Sequence, residues 1–380
     1  MTSTDTTRWY ANPAARSWRT ASVAGSAVSF HRTLDGYAAT PLSELPELAA
    51  ELGVGRVFVK DESNRMGLPA FKILGASWAV CRAISERLGV DARQMTVEKL
   101  RQELAGNPAA AGDLTLVTAT DGNHGRAVAR MASLLGVAAR IYTPNGLSPA
   151  ATEAIRAEGA ELIALDASYD DVVAQAAASV TGRVLDLLIQ DTSWVGYTSV
   201  PQWIVEGYGT LFAEIDGALH SRGIPTADLV ACPVGVGSLA HAMVDHYRST
   251  GDGPALLSVE PATAACVAVS LAAGQIITVD TSRRTIMTGL NCGTPSDIGW
   301  PSLLCGLDAA ISVSDDETRT AVAVLARLGQ DSGPCGAASL AGVRAALNDQ
   351  ARREALGIDA DSVVVLVSTE GLAANPLPQP

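Results

Sequence analysis

The chain has 380 residues, of which 48% are apolar, and it carries a formal net charge of −13. This length is enough for two domains that each bury a core, and the acidic balance disfavours nucleic acid and anionic membranes as partners. The N-terminal stretch MTSTDTTRWYANPAARSW has no apolar core typical of a signal peptide, and no apolar run reaches the length of a membrane span.

Short β-rich runs alternate with helical patterns along the chain. The spacing predicts a strand at 56–62, a helix from Ile73 to about Leu88, a strand at 114–120 and a helix at 123–136 that a glycine stops. Further strands are predicted at ARIYTP (139–144), AELIALD (160–166), RVLDLLIQD (183–191), DLVACPVG (228–235), ALLSVEP (255–261) and SVVVLVSTEG (362–371). The polar segment 90–113 is predicted as a surface excursion and the tail 373–380 as frayed or loosely draped. This alternation predicts an α/β fold with helices on the faces of parallel sheets.

Six cysteines are scattered along the sequence without a CxxC pair. This spacing disfavours a zinc site and a dense disulfide framework, so no metal is expected and a reducing cytoplasm is the simplest compartment. The sequence leaves open whether Cys266 and Cys292 meet in the folded chain.

Polar or glycine-rich segments follow several of the predicted strands. Because ligands collect at the carboxyl ends of strands in open α/β sheets, these segments predict one site built from many loops. They are the loop that contains Lys72, ATDGNHGR (119–126), QDTSWVGY (190–197), PVGVGSLAHA (233–242) and STEG (368–371).

The segment PVGVGSLAHA has three possible interpretations. Gly235 and Gly237 let the backbone approach a ligand, and the helix that follows directs N–H groups at an anion such as a phosphate. The same residues approximate the dinucleotide pattern GxGxxA, with Glu260 at the end of the next strand. A tight turn at a helix start is the third interpretation.

Lys72 lies among apolar residues in GLPAFKILGA. A lysine in such a stretch is usually a surface residue whose stem covers apolar neighbours. If Lys72 is buried, its pKa falls and it becomes an amine that attacks carbonyls. Together with a phosphate cradle, such an amine makes pyridoxal 5′-phosphate (PLP) a candidate cofactor.

The chain resembles the fold type II PLP-dependent enzymes, which are tryptophan synthase beta-like, and within them the diaminopropionate ammonia-lyase family. The resemblance runs from about Phe30 to Gly371. It rests on GYAATPL, VKDES with GLPAFKILGAS, TDGNHGR, QDTSWVGYTSVPQWIVEGY, GVGS, VEP with TIMTGLNCGTPSDIGW, and STEG. It implies two parallel-sheet-based domains with the cofactor between them: a large PLP-binding domain of residues 1–85 and 225–380, and a small domain of residues 86–224. It also suggests a homodimer.

The resemblance also implies roles for individual residues. Lys72 matches the lysine that binds PLP covalently, Asn123 the partner of its phenolic oxygen, and Ser368 the neutral partner of its ring nitrogen. The phosphate cradle matches Gly235, Val236, Gly237, Ser238 and Leu239.

Asp121 and Asp191 match a pair of catalytic carboxylates, one thought to serve each enantiomer of 2,3-diaminopropionate. The Cα protons of the two enantiomers project from opposite faces, so one base cannot reach both with good alignment. Without the resemblance, Asp121 is expected to cap a helix and Asp191 to form a turn. His124 is expected to be a loop residue near the site, and Glu260 a structural one.

The implied activity is elimination of ammonia from D- and/or L-2,3-diaminopropionate to give pyruvate and ammonia. Differences from the family at Asn64, Met66, Pro69, residues 327–339 and the tail after STEG leave substrate identity open. A PLP-dependent dehydratase or a β-replacement synthase acting on another β-substituted amino acid is the second hypothesis. A nucleotide-binding protein that uses the GxGxxA loop without PLP is the third.

Overall fold

The computed structural model describes residues 8–20, 26–108, 112–120, 122–249, 251 and 253–377. The chain forms two compact units. Unit 1 comprises Met1–Ala24, Ala39–Asn64 and Leu211–Pro380, and unit 2 comprises Gly25–Ala38 and Arg65–Thr210. Compared with the predicted domains, three stretches change place: residues 25–38 and 65–85 belong to unit 2, and residues 211–224 belong to unit 1.

The strands of the described residues are β1 Trp9–Ala11, β2 Leu42–Glu44, β3 Arg56–Asp61, β4 Thr115–Ala119, β5 Ala138–Pro144, β6 Glu161–Leu165, β7 Asp186–Leu188, β8 Leu229–Pro233, β9 Ala255–Pro261, β10 Ala309–Val313 and β11 Val363–Ser368. Their helices are α1 Ser26–His31, α2 Pro46–Leu52, α3 Ile73–Leu88, α4 Val97–Gly106, α5 Asn123–Leu135, α6 Pro149–Ala157, α7 Tyr169–Ser179, α8 Ser199–His220, α9 Ser238–Arg248, α10 Cys266–Ala273, α11 Trp300–Gly306, α12 Asp315–Arg327, α13 Pro334–Leu347 and α14 Gln350–Leu356. Short 3₁₀ segments occur at Ala15–Ser17, Ala92–Gln94, Thr288–Leu290 and Asp297–Gly299.

Unit 1 is built on a sheet of seven described strands in the order β1-β10-β9-β8-β11-β3-β2. The five central strands run parallel, and the short β1 and β2 pair antiparallel at the two edges. Strands β8, β9 and β10 are buried at every residue, as expected for parallel strands with helices on both faces. Parallel pairing of β8, β11 and β3 brings their carboxyl ends to the same sheet edge.

Unit 2 is built on a parallel sheet of four described strands in the order β6-β5-β4-β7. The central strand β4 is buried throughout, and Val117 and Ala119 pack against Val172 and Ala176 of α7. Because β4 and β7 are parallel neighbours, the segments that follow them emerge at one edge of this sheet. These are the segments that contain Asn123 and Asp191.

The alternation of elements is confirmed, and several bounds agree closely with prediction. Helix α3 and strand β9 span the predicted residues, and α5 ends before Gly136, which has a left-handed φ of 70°. The strand predicted over 183–191 is only three residues long, because residues 184–185 form a turn before it and a bend at Asp191 follows it. The excursion at 90–113 contains α4, which buries Val97, Leu100 and Leu104.

The C-terminal tail is better packed than predicted. Asn375 is buried, and its Nδ2 donates to the carbonyl oxygen of Ile286 at 2.9 Å. Residues 378–380 lie outside the described part of the chain. Across the described residues, no helix is both long and apolar enough to cross a membrane.

Candidate active site

The sequence contains three lysines, Lys60, Lys72 and Lys99, and their surroundings differ. Lys60 is buried, and its Nζ donates to Glu214 Oε2 at 2.6 Å. Lys99 lies exposed on α4. The Lys72 side chain is 26% exposed, and its Nζ donates to Asp191 Oδ2 at 2.8 Å. Lys72 is therefore the lysine that is both accessible and partly desolvated, as an attacking amine requires.

A tight hairpin precedes Lys72 in unit 2. Arg65 and Leu68 exchange backbone hydrogen bonds of 2.8 and 3.0 Å across Met66 and Gly67. These two central residues have φ values of 54° and 74°, which is the left-handed geometry of a type I′ turn. Lys72 occupies the N-cap position of α3 and has helical dihedral angles, so its backbone is fixed at the start of the helix.

Asp191 receives hydrogen bonds on both carboxylate oxygens. Lys72 donates to Oδ2, and the side-chain amide of Gln190 donates to Oδ1 at 3.2 Å. Burial alone would raise the pKa of Asp191, but the positive charges of His124 and Lys72 outweigh it and lower this pKa below the usual aspartate range. The carboxylate is therefore ionised while Lys72 is protonated.

His124 lies beside this pair but is not hydrogen-bonded to it. Burial lowers the pKa of His124, and the negative charge of Asp191 counteracts this shift. The Nε2 of His124 donates to the Ile189 carbonyl oxygen at 2.7 Å. In the neutral imidazole this leaves Nδ1 without a proton. Nδ1 has no hydrogen-bond partner among the described residues and lies 3.9 Å from Asp191 Oδ2. His124 therefore lies near the site as predicted, but as the second residue of α5 rather than in a loop.

The segment with the other predicted carboxylate is described only in part. Asp121 lies outside the described residues. On either side of it, Thr120 Oγ1 accepts from the backbone N–H groups of Gly122 and Gly125 at 2.9 and 3.0 Å. Asn123 is the first residue of α5 and is half-buried. The assignments of Asp121 and Asn123 stay predictions.

The glycine-rich turn lies in unit 1, between β8 and α9. A Cβ on Gly235 would lie 2.9 Å from Cys292 Sγ, and one on Gly237 would lie 2.7 Å from Leu303 Cδ1. Gly237 also has a left-handed φ of 97°, so side chains are excluded here by both space and backbone conformation. The turn leads into the eleven-residue helix α9, whose first N–H groups have no intrahelical acceptors. This is the geometry of an anion cradle.

The remaining cradle residues support the turn. The Val236 carbonyl oxygen accepts from the backbone N–H of Ser296 at 2.8 Å, and Leu239 is buried below the turn. Ser238 is the first residue of α9 and is also buried. Cys266 is a free thiol, so it does not pair with Cys292, and its Sγ donates to the Gly235 carbonyl oxygen at 3.5 Å.

Ser368 lies at the end of β11, the strand next to β8. It is buried, and its hydroxyl hydrogen-bonds the Ser332 hydroxyl at 2.8 Å. A Cβ on Gly336 would lie 2.7 Å from Ser368 Oγ, so a glycine is needed beside this hydroxyl. In unit 1 the structure therefore places the glycine turn and Ser368 at neighbouring strand ends, and in unit 2 it brings Lys72 and Asp191 into contact.

Comparisons with known proteins agree with these features. The sequence profile described as Pyridoxal-phosphate dependent enzyme matches residues 33–370. The chain belongs to the pyridoxal-phosphate dependent enzyme family. The Diaminopropionate ammonia-lyase of Escherichia coli (strain K12) is 37% identical over 353 residues, which are 90% of this chain and 86% of the relative.

Solved structures give the same result. A crystal structure of diaminopropionate ammonia lyase from Escherichia coli in complex with D-serine has a TM-score of 0.87 and 33% identity, and the match covers 96% of this chain and 94% of that one. A second, in complex with an aminoacrylate-PLP azomethine reaction intermediate, has a TM-score of 0.85, 32% identity and the same coverage. The predicted fold type II architecture and the resemblance to the diaminopropionate ammonia-lyases are confirmed.

The described residues fit the cofactor of this PLP-dependent family. The turn at Gly235–Gly237 has glycines at two of its three positions and leads into the first N–H groups of α9, which suits a phosphate. Lys72 offers an amine beside a carboxylate that can hold its proton. The hydroxyl of Ser368 offers a neutral hydrogen-bonding group, bonded to a second neutral hydroxyl.

The dinucleotide interpretation of GxGxxA is not favoured in a PLP-dependent enzyme. That interpretation needs Glu260 to face a ribose hydroxyl. Glu260 is instead fully buried and accepts backbone N–H groups of Val267 and Ala268 at 2.8 and 2.7 Å at the start of α10. Among the described residues, no cluster of three or more His, Cys, Asp or Glu side chains is placed to hold a metal ion.

Two residues of the site were not found from the sequence. Tyr208 of α8 is buried, and its hydroxyl has no hydrogen-bond partner among the described residues. Burial raises the pKa of Tyr208, and the nearby Lys72 ammonium counteracts this rise. Gln190 is the other. For Tyr208, the sequence offers one signal: the neighbouring Gly207, because a glycine inside a helix often marks close packing.

Proposed function

We propose that this protein is a PLP-dependent ammonia-lyase that acts on D- and/or L-2,3-diaminopropionate. One molecule of diaminopropionate and one of water would yield one pyruvate and two ammonia molecules. The observation that carries the proposal is the 2.8 Å contact between Lys72 Nζ and Asp191 Oδ2 in a chain that matches an ammonia-lyase over 90% of its length. It pairs the amine that the family needs with a carboxylate that can move a proton.

The family resemblance assigns each contact with the cofactor to a residue of this chain. Lys72 would bind it covalently, the Gly235–Leu239 turn would hold the phosphate, and Asn123 and Ser368 would contact the ring. When bound, PLP supplies an electron-withdrawing ring that weakens a bond at the substrate Cα. The hydroxyl of Ser368 is a neutral partner, which leaves the ring a moderate electron acceptor and suits elimination better than transamination.

Lys72 and Asp191 would share the proton transfers. While Lys72 is protonated it lowers the pKa of Asp191, so the carboxylate is a weak base. When Lys72 is neutral, that favourable charge is lost, and burial raises the pKa of Asp191 towards the range of an effective general base. The titrations of the two groups are thus coupled, and each can hold the proton that the other releases.

Asp121 and Asp191 would divide the two substrate enantiomers between them, since each would approach Cα from one face. We expect Asp191→Asn to lower turnover of one enantiomer at least tenfold more than that of the other, and Asp121→Asn to show the opposite preference. Equal losses for both enantiomers in both variants would reject this division.

The decisive experiment is pyruvate release by the holoenzyme from D- and L-diaminopropionate, D- and L-serine, and threonine. We expect diaminopropionate to be the best substrate. Lys72→Ala should abolish turnover and the yellow absorbance of the bound cofactor. Lys99→Ala, which removes the exposed lysine of α4, should change neither. Retention of colour and turnover in Lys72→Ala would show that the lysine assignment is wrong.

A β-hydroxy amino acid is the second candidate substrate, because the structurally similar Escherichia coli enzyme was crystallised with D-serine. A dehydratase would release pyruvate from serine at a rate that exceeds its rate with diaminopropionate. A β-replacement synthase would release little pyruvate until a nucleophile is supplied. The same substrate panel separates the three activities.

We also propose a homodimer in the cytoplasm. The family resemblance supports the dimer, and sedimentation of the holoenzyme would test it. Buried cysteines outside disulfides, among them Cys81, Cys232 and Cys266, support a reducing compartment. Fractionation of the source cells would test that location.

A further inference from the structure

Gln190 connects Asp191 to the end of the neighbouring strand. It is fully buried, and its Oε1 accepts from the backbone N–H of Ala119 at 2.9 Å and from Thr118 Oγ1 at 3.0 Å. Its Nε2 donates to Asp191 Oδ1 at 3.2 Å and to Tyr169 Oη at 3.3 Å. The side-chain amide therefore spans from β4 to the Asp191 carboxylate.

The chemistry of its partners fixes the orientation of this amide. A backbone N–H can only donate, so Oε1 must face Ala119. An ionised carboxylate can only accept, so Nε2 must face Asp191. A flipped amide would place two donors together and two acceptors together inside the protein, which is costly where no water competes. Gln190 thus presents a donor to Asp191 in one orientation only.

The backbone of Gln190 is also held. Its N–H donates to Tyr197 Oη at 2.9 Å, and the same hydroxyl donates to the Leu188 carbonyl oxygen at 2.8 Å. The Tyr197 ring stacks on Trp194 with centroids 4.4 Å apart. Both the main chain and the side chain of Gln190 are therefore fixed by groups outside the Lys72–Asp191 pair.

We infer that Gln190 is a positioning residue for Asp191: it holds Oδ1 so that Oδ2 faces Lys72, and it stabilises the ionised carboxylate. This inference rests on the proposed acid–base role of Asp191. A donor to the charged form of a carboxylate favours that form, so removal of Nε2 makes Asp191 easier to protonate. It also frees the carboxylate to rotate away from Lys72.

The first test is Gln190→Met, which keeps the length of the side chain and removes its polar atoms. The enantiomer that depends on Asp191 should lose at least tenfold in kcat, and the other enantiomer should lose several-fold less. The acidic limb of the kcat/KM profile should move to higher pH for the affected enantiomer. A purely structural role would slow both enantiomers equally and leave this limb unchanged.

The second variant is Gln190→Glu. While its carboxyl is protonated, this residue still accepts from Ala119 and donates to Asp191, so the enantiomer preference should remain near that of the wild type at low pH. As the carboxyl ionises, the donor is lost, and the defect should grow with pH. A defect that does not change with pH would contradict the inference.

A third measurement avoids turnover. With only three lysines in the chain, an amine-directed reagent followed by mass spectrometry reports on Lys72, with exposed Lys99 as the internal reference. In the cofactor-free Gln190→Met protein, weaker pairing with Asp191 should lower the pKa of Lys72 and raise its labelling relative to Lys99 several-fold at pH 8. Unchanged labelling in a folded variant would overturn the inference.

Gln102→Met is the matched control. Gln102 Nε2 also donates to a carboxylate, Glu98 Oε1 at 3.1 Å, but on the exposed surface of α4. It should alter neither the enantiomer ratio nor Lys72 labelling. If Gln190→Met does not fold, Thr118→Val, which removes one of the two donors to Oε1, should shift the enantiomer ratio in the same direction by a smaller factor, and an unchanged ratio would overturn the inference.

Two kinds of failure remain distinguishable. A wild-type holoenzyme that releases pyruvate from no amino acid of the panel overturns the proposed function and this inference with it. An active wild type whose Gln190 variants treat both enantiomers alike overturns the inference and leaves the proposed function in place.

Discussion

Helices α3 and α8 approach each other closely at a pair of glycines, and a single methyl group tests this packing. A Cβ on Gly207 would lie 2.4 Å from the Leu74 carbonyl oxygen and 2.8 Å from the Gly75 Cα. Because real Cβ contacts are essentially never closer than 3.0 Å, Gly207→Ala must separate the two backbones by at least about 0.6 Å. The obstacle is backbone, so it cannot turn aside as a flexible side chain would.

The magnitude follows from two opposing effects. Overpacking of a tight interior site costs about 1–3 kcal/mol, and the rigid obstacle places this site at the upper end. Alanine in place of glycine gains about 1 kcal/mol of helix propensity. We therefore expect Gly207→Ala to lower the free energy of unfolding by about 2 kcal/mol, a substantial part of the 5–15 kcal/mol of a typical domain.

The same helix contains the control. Gly217 is exposed in α8, and a Cβ there meets nothing within 4 Å. Gly217→Ala should therefore gain helix propensity alone and raise the free energy of unfolding by about 0.5–1 kcal/mol. Urea unfolding of both variants, followed by circular dichroism, should show opposite shifts of the midpoint.

The packing also bears on catalysis. Lys72 lies one helical turn before Gly75, and the Tyr208 ring would meet a Cβ on Gly75 at 2.5 Å. Displacing α3 from α8 therefore displaces Lys72, and a misplacement approaching 1 Å can cost on the order of 100-fold in rate. Turnover of Gly207→Ala should fall at least tenfold, while Gly217→Ala stays near wild type. A Gly207→Ala protein as stable and active as the control would refute the close approach.

Three further predictions concern single residues. Met66→Asn should raise the free energy of unfolding by about 0.5–1 kcal/mol, because asparagine tolerates the left-handed φ of 54° in a type I′ turn better than methionine does; urea midpoints check this, and Met66→Val should be destabilising. Burial raises the pKa of Glu260 from 4.5 to about 8. The contribution of this group to the free energy of unfolding is therefore fully present below pH 4.5 and is lost as the pH rises through 8, by up to about 5 kcal/mol. Glu260→Gln should remove most of this loss, which unfolding at pH 5 and pH 9 would show, and equal pH dependence in both proteins would contradict it. Tyr208→Phe removes a buried hydroxyl that lacks a hydrogen-bond partner near Lys72, so it should keep or raise stability yet slow turnover about tenfold; unchanged turnover would mean that the hydroxyl has no part in catalysis.

Much of this fold can be predicted from local patterns in the sequence. The glycines at 235 and 237, the helix that begins after Lys72 and the strand at 255–261 each have signatures within a few residues of sequence. The resemblance carried by motifs such as TDGNHGR and QDTSWVGY then led to the family. These features could be predicted because their physical causes, such as periodicity and backbone freedom, are local.

The residues that escaped prediction depend on contacts between distant segments. Gln190 lies within the motif QDTSWVGY, but its role depends on the pairing of β4 with β7, which brings Ala119 to its amide oxygen. In the sequence, Tyr208 resembles any apolar position of α8, and its contact with Gly75 is seen only in the structure. The prediction made β7 too long because the apolar residues around it extend on both sides of Asp186–Leu188.

The edge strand β1 of the unit 1 sheet has a consequence for handling the protein. Strand β1 is three residues long and lies within the first twelve residues, yet it covers one side of β10, whose residues Ala309–Val313 are all buried. A truncation past Ala11 would uncover a flat, uncharged strand with unpaired backbone groups, the template on which chains aggregate. Affinity tags are therefore better placed at the carboxyl terminus, or joined upstream of an intact Trp9–Ala11.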